Sequence, residues 1–454
     1  MKAFRTNRSW ISVLSLFLLA SLQFNQLSVR AGGQNWPQWR GPNSQGVSAE
    51  KGFTFEWSST QNIQWKASIP GRGHSSPIAW GERVFLTTGI EGAVQPGFKA
   101  VRHIDAGGKE FNHQDSIGAD RLHSLKVFCL DLETGRVLWE QTAYEGRVFD
   151  NRHKKNTFAS ATPITDGRYV YAYFGSEGLY CYDFSGKLIW KSSLGNIATM
   201  GMGVASSPLL WQDLLFLQCD QDNGEASFLA AIDKKSGRQV WKVRRTTLES
   251  WTSPVTATLG RSTELIINAR ELVIAYNPAD GGELWRVKGV GPNPVPTPVV
   301  GHGMAFFAAG AGDKRSMAVR LGGRGDVTNT DKVIWRYNKG TAHIASPILY
   351  EDYLYLMTDT GLMSCLEART GEVQYEGGRV PIPATFTASP VAVDGKILIT
   401  SEDGDTFVIE AGPRYEILRT NSVSEPVYAS LALAQGKILI RGEKNLYCIG
   451  QKTR

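Results

Sequence analysis

A dipeptide of Ser or Thr followed by Pro recurs along this chain, at Ser76-Pro77, Thr162-Pro163, Ser207-Pro208, Ser253-Pro254, Thr297-Pro298, Ser346-Pro347 and Ser389-Pro390. An eighth copy, Ser430-Leu431, lacks the proline. Successive copies lie 86, 45, 46, 44, 49, 43 and 41 residues apart. A near-fixed period of this length makes each unit one supersecondary block stacked on copies of itself. The 454 residues, enough for two or three ordinary domains, therefore read as one repeat array.

The second unit shows the plan. Ser160 to Thr165 reads as a strand closed by Asp166-Gly167, and Arg168 to Phe174 as a second strand of alternating aromatic and small residues. Leu179 to Phe184 returns as a third, and Lys187 to Leu194, carrying Trp190, is the fourth. Short β-rich runs punctuated by Asp-Gly and Ser-Gly are hairpin signals. Four antiparallel strands per repeat is the composition of a β-propeller blade, and no amphipathic helix follows the first 31 residues. The fold class expected is all-β, an eight-bladed propeller over 62–454. Its last unit supplies only three strands, ending at Asn445 to Ile449, while Asn62 to Ile69 is an orphan fourth strand with Trp65 in the usual slot. Pairing the two completes a blade and hides two exposed edges. Residues 32–61 fit no blade and read as an arm whose indoles, Trp36, Trp39 and Trp57, cover part of the ring.

Residues 1–31 read as a secretory signal peptide: basic Lys2, Arg5 and Arg8, an apolar run from Trp10 to Phe24, and small residues at Val29 and Ala31. The run is short for a membrane span, and an uncleaved anchor is the weaker alternative. The expected location is periplasmic or secreted, with a soluble mature chain. Four of the six net positive charges lie in the leader, leaving about +2 with no basic block. A nucleic-acid partner is not indicated. Cys129, Cys181, Cys365 and Cys448 occupy one repeat slot that Ala231 and Ala275 fill elsewhere. A slot shared by Cys and Ala is a small buried position, so free structural thiols are expected.

The junctions between third and fourth strands carry a resemblance. Cys129-Leu-Asp-Leu-Glu-Thr-Gly-Arg-Val-Leu-Trp139 and Ala231-Ile-Asp-Lys-Lys-Ser-Gly-Arg-Gln-Val-Trp241 resemble the repeat of the pyrroloquinoline quinone (PQQ) enzyme-like propellers. The opening Trp36-Pro-Gln-Trp-Arg-Gly-Pro is similar to secreted members common in planctomycete-type bacteria. The motif has a role without any quinone: Thr-Gly makes the tight turn, Asp bonds its amides, and Trp packs between blades. It speaks for fold more strongly than for cofactor.

In a propeller the segments just before each Ser/Thr-Pro converge on one mouth of the central channel. Here they are Arg72 to Ser75, Asn156 to Phe158, Met200 to Gly203, Glu249 to Thr252, Gly291 to Pro294, Ala342-His343, Thr385 to Thr387 and Pro426 to Tyr428. A concave mouth with a few polar groups is the default ligand site. Two long insertions, Gly89 to His123 and Gln141 to Ala159, fall on the same rim and are expected to form a lid. His103, His113 and His123, ten residues apart, lack compact zinc-ligand spacing and read as surface histidines, so no metal site is expected.

The resemblance implies, for the enzyme members, PQQ with calcium, held between a tryptophan and a vicinal disulfide. On that reading Arg72, His74, Asn156, Arg245, Trp251 and His343 are the cofactor-binding candidates, with Trp251 as a stacking floor. The chain has no adjacent cysteines and no CxxCH haem signature, and no catalytic residue is assignable. The favoured reading is a non-catalytic binding or scaffold module taking a protein segment or glycan at its mouth. A lipoprotein of the outer-membrane assembly machinery with the same repeats sets that precedent. The alternative is a PQQ-dependent periplasmic dehydrogenase oxidising an alcohol or sugar.

Overall fold

Each of the seven Ser/Thr-Pro dipeptides, and Ser430-Leu431 in the eighth copy, introduces the innermost strand of an antiparallel sheet of four strands, and the eight sheets follow one another in chain order, two of them with a fifth, parallel strand. The computed structural model describes Met1 and residues 33–451, apart from 105–107, 112, 293, 311 and 313. Beyond Met1, the expected signal peptide lies outside the described residues. Everything below belongs to the compact unit Gly33–Arg454.

Blade two consists of Ile164–Thr165, Tyr169–Tyr173, Leu179–Asp183 and Leu188–Ser192. Its middle strands are buried almost throughout, whereas the outer strand is exposed or half-buried at every position. That contrast is why the middle strands read as continuous apolar runs. Among the described residues there is no α-helix, only two 3-10 turns at Gly175–Glu177 and Gly224–Ala226.

The ring closes as the sequence predicts. Ile63–Ser68 pairs antiparallel with Asn445–Ile449, placing Trp65 opposite Cys448 and completing blade eight. The Ser/Thr of the recurring dipeptide joins blades from within. The amide of Ser76 donates to Thr162 Oγ1 at 2.9 Å, that of Thr162 to Ser207 Oγ at 3.0 Å, and that of Ser207 to Ser253 Oγ at 2.9 Å. The relay continues through Thr297, Ser346, Ser389 and Ser430. Each of these seven hydroxyls therefore satisfies a buried amide one blade back, and the proline that follows all but Ser430 has no N–H to satisfy.

The tryptophans join blades from outside. Trp65 Nε1 donates to Leu132 O at 2.8 Å, Trp139 Nε1 to Phe184 O at 3.0 Å and Trp190 Nε1 to Lys234 O at 3.0 Å. Each ring lies over the glycine of the next blade's turn. A Cβ on Gly135 would sit 2.4 Å from Trp65, and its φ of +71° excludes most other residues independently. Trp285 departs from the rule, donating at 2.9 Å to Glu264 of its own blade, because Gly323 of an insertion lies under its ring. The four cysteines of the shared slot are free and buried, as the slot implied, and so is Cys219 outside it.

The arm does more than cover the ring. Trp36 bridges to Ala79 of blade one, Pro37 O accepts from Thr165 of blade two, and Gln45 accepts from Val300 of blade five. Arg40 Nη2 donates to Pro347 O of blade six at 2.7 Å, and Val47–Ser48 adds a parallel strand to Val391–Val393 of blade seven. Apart from Pro347, these partners lie at the far ends of the innermost strands, so the arm seals the channel opposite its mouth.

The insertions are largely structured. In blade one, Arg83–Val94 pairs with Arg121–Asp131 well past the usual strand ends, and Val137–Arg147 continues beside it. Residues 141–147, expected as loop, are therefore strand. Ser116–Ile117 pairs with Arg152–His153 and so fastens the two insertions to each other.

Candidate functional site

With one end sealed, the channel becomes a cup of about 870 Å³. Its floor is Trp39 from the arm, ringed by the dipeptide residues Ser76, Thr162, Ser207, Ser253, Ser389 and Ser430. The wall is mainly apolar: Phe111, Met200, Met202, Trp251, Ile344, Phe386 and Tyr428 face in. Trp251 is fixed by donating to Gly203 O at 2.9 Å, and His74 stacks on Tyr428 at 4.6 Å.

Charge in the cup is neutralised in place. Arg270 faces Glu249 at 3.2 Å, and Lys155 faces Glu402 at 3.0 Å. Glu402 also accepts from Thr387 Oγ1 at 2.5 Å, and Asp359 accepts the His343 amide at 2.8 Å. Burial pushes the Glu249 carboxyl up despite Arg270. Burial, reinforced by the guanidiniums of Arg72, Arg441 and Arg152, presses His74 down to about 3, so this imidazole is neutral at physiological pH.

Four of the six candidates from sequence, His74, Asn156, Trp251 and His343, line the cup. The Asn156 amide is committed to the wall: Nδ2 donates to Met202 O, and Oδ1 accepts from Thr157 N and Ser160 Oγ. Arg72 stands off the cup, paired with Glu443 at 3.5 Å. Arg245 is a correction. It is wholly buried, donating to Asp220 at 2.8 Å and to the Tyr276 hydroxyl at 2.9 Å, and it cannot meet a ligand. Asp220 follows an apolar strand, and a buried acid needs a cation; that demand draws Arg245 inward.

The loop histidines are a second correction. His103 and His123 are buried rather than superficial. His103 bridges Asp222 at 2.6 Å and Asp150 at 2.9 Å, and these bonds outweigh burial to raise it to about 9. It thereby clasps the first insertion to the second and to blade three. His123 Nε2 bonds Gly118 O at 2.7 Å, with its ring packed on Phe158. His113 reaches the cup, beside His153. Sequence reasoning also missed Trp39, Arg270, Asp359 and Glu402 as lining residues. The last three sit on or beside loops between second and third strands, which share the face of the mouth.

Two overlapping segments, 124–286 and 269–453, match the family model described as outer membrane protein assembly factor BamB. The chain belongs to that family. No curated protein matches it in a sequence search. Among solved structures, BamB from Moraxella catarrhalis is similar at 13% identity and a TM-score of 0.53, over 75% of this chain and 95% of that one. Quinohemoprotein alcohol dehydrogenase from Comamonas testosteroni is similar at 9% identity and a TM-score of 0.61, over 92% of this chain and 81% of that one. A computationally designed protein, Ika8, is similar at 9% identity and a TM-score of 0.51, over 79% of this chain and 98% of that one. Identities this low establish the shared propeller, not a shared activity. Among the described residues no helix is long and apolar enough to cross a membrane.

The cup fits PQQ poorly. Trp251 offers a face for stacking, but a polycarboxylated quinone also needs unpaired cations. Arg270 and Lys155 are both opposed by carboxylates, Arg72 lies outside and Arg245 is in the core.

Proposed function

We propose that this chain is an exported, non-catalytic binding propeller that holds a protein segment in its cup. The observation that carries the reading is the cup itself: closed below by Trp39, walled by aromatics and methionines, with its cations already matched by acids. Such a site rewards apolar surface and offers no surplus charge to an anionic cofactor. Methionines adapt to varied side chains, which suits an extended segment of variable sequence. Assembly of outer-membrane proteins, named in the family description, is a role of this kind. Export rests on the signal-like leader Lys2 to Ala31.

The test is titration of the purified chain, followed by tryptophan fluorescence. One arm uses synthetic peptides copied from aromatic-rich strands of outer-membrane barrels, and a second uses neutral oligosaccharides. A saturable response to the peptides that weakens at least tenfold (about 1.4 kcal/mol) in Trp251→Ala supports the proposal. A response to oligosaccharides alone converts it to glycan binding. The similarity to a quinohaemoprotein dehydrogenase favours one second reading, a quinoprotein dehydrogenase. PQQ and calcium with dye-linked alcohol oxidation test it, and bound quinone with turnover would replace the binding reading.

A further inference from the structure

The wall of the cup between blades one and two carries a cluster that the binding reading does not use. His113, Asp115 and His153 each offer a donor atom within 4.8 Å of the others'. Both histidines face the cup. They come from different insertions, so their meeting is a product of the fold rather than of sequence spacing. The strand pairing of Ser116–Ile117 with Arg152–His153 sets the register. Around it, Lys154 N donates to Asp115 O at 2.8 Å, His153 N to Met202 O at 3.1 Å and Ser116 Oγ to Gly201 O at 2.9 Å. The backbone that carries the three side chains is therefore tied at both sides.

We propose that His113, Asp115 and His153 form a binding site for a borderline divalent transition metal, Zn²⁺ or Fe²⁺, with its open coordination positions facing the cup. Two imidazoles and one carboxylate suit that class of ion, whereas Ca²⁺ and Mg²⁺ take oxygen donors. Tetrahedral donors on a ~2.1 Å bond lie roughly 3.4 Å apart; His153 Nε2 already stands 3.5 Å from Asp115 Oδ2, and no pair of donors need close by more than about 1.4 Å. All three side chains are half-buried. Without the metal, Lys154 Nζ holds Asp115 at 2.9 Å. That lysine is mostly exposed and free to swing out, leaving its place to another cation.

Affinity is limited by what is given up. The amides of Asp115 and Lys155 donate to Nδ1 of His113 and His153, each at 3.2 Å. Capture through Nε2 moves the ring proton to Nδ1 and breaks those contacts. Capture through Nδ1 displaces the amides directly. The site therefore binds more weakly than one whose ring N–H groups are held by carbonyls. An ion here would present a Lewis-acidic centre to whatever enters the cup, and the proposal is independent of which occupant that is.

The experiment uses the whole chain without a histidine tag, so that the only competing imidazoles are the five of the chain's seven histidines outside the cluster. Isothermal titration with Zn²⁺ alone, and with Ca²⁺ as comparison, measures stoichiometry and affinity. Co²⁺ absorption reports the donor set. One Zn²⁺ per chain is expected, with little Ca²⁺ uptake. Affinity should fall at least tenfold in His153→Ala and in Asp115→Asn, and stay unchanged in His302→Ala, whose imidazole bonds Glu351 O elsewhere. Circular dichroism and melting confirm that each variant is folded, and Asp115→Asn preserves shape if the alanine variant does not fold. No stoichiometric Zn²⁺, tighter Ca²⁺ than Zn²⁺, or wild-type affinity in both cluster variants would each overturn the assignment.

Discussion

Raising the pH should release the clasp that His103 makes between the insertions. His103 is 4% exposed and lies between Asp222 at 2.6 Å and Asp150 at 2.9 Å. Both acids are held independently, since Asp150 accepts from the Asn151 and Thr199 amides and Asp222 from the Asn223 amide. Burial alone would lower the imidazole. The two carboxylates outweigh it and raise His103 from 6.5 to about 9. A group whose folded value is raised contributes stability that is complete below its unfolded value and is lost as pH climbs through its folded one. The window is therefore 6.5 to about 9, and the full contribution is of order 3 kcal/mol. Asp222, held low despite burial by its bond to His103, sets the opposite limit, weakening the clasp in acid as it protonates.

Those two values translate into about a 40-fold rise in the open population between pH 7 and pH 9. Trypsin reports it at Arg102, which is exposed next to the clasp but followed immediately by the paired strand His103–Ile104. Cleavage tracks the open fraction when reclosing is fast. Rates should be normalised to a short peptide cut at each pH. Asp222→Asn should speed cleavage at pH 7 and flatten the pH dependence. A rate that is flat or falling from pH 7 to pH 9, or an unaltered slope in Asp222→Asn, refutes the clasp.

Three further outcomes follow from the packing. Trp65→Ala should cost ~3–5 kcal/mol in denaturant unfolding and Trp65→Phe only ~1 kcal/mol. Gly135→Ala should also destabilise, because its Cβ would sit 2.4 Å from Trp65 at a φ of +71°. Ser207→Ala leaves the buried Thr162 amide without its acceptor, costing about 1–3 kcal/mol. Ser76→Ala should be close to neutral, because Ser76 Oγ has no hydrogen-bond partner; equal losses in the two variants contradict the relay. Replacing Gln95 to Gln114 by a short turn should keep the β-sheet circular dichroism while altering peptide binding to the cup. Loss of the fold would show that the insertion is structural rather than a lid.

What the sequence disclosed divides along a physical line. The four-strand plan repeats eight times and the tryptophan slot holds Trp in six blades, so each copy checks the others and the closing strand Ile63–Ser68 is recognised as a fourth strand by Trp65. The recurrent Ser/Thr was visible, but its partner amide lies one blade away, and no local pattern links the two. The insertions have no counterpart in other repeats. Nothing in their ten-residue histidine spacing reveals that His103 turns inward to two acids while His113 turns toward the cup. Arg245 misled for a related reason. It follows an outer strand near the mouth, where exposure is usual, and only the buried Asp220 explains its direction. The arm's tryptophans were correctly read as packing at Trp36 and Trp57, but the floor position of Trp39 depends on the arm crossing the channel.

That crossing also answers a problem of closure. Seven hydroxyl links run around the channel, and the eighth, between Ser430 and Ser76, is not made. The gap falls between blades eight and one, beside the blade whose outer strand, Ile63–Ser68, is held by pairing with Asn445–Ile449 rather than by continuous chain. The missing link should weaken this seam relative to the others, and other contacts cross it. Buried Arg441 reaches across it to Thr87 O at 3.0 Å, and Gln435 Nε2 bonds Gly81 O at 2.6 Å. The arm adds the Trp36–Ala79 bridge on the blade-one side and sets Gly33 against Gln435 on the blade-eight side. The segment that turns the tube into a cup is thus the same one that braces its seam. A change that loosens the arm should therefore open the floor and weaken closure together, so the two properties cannot be tuned separately in this fold.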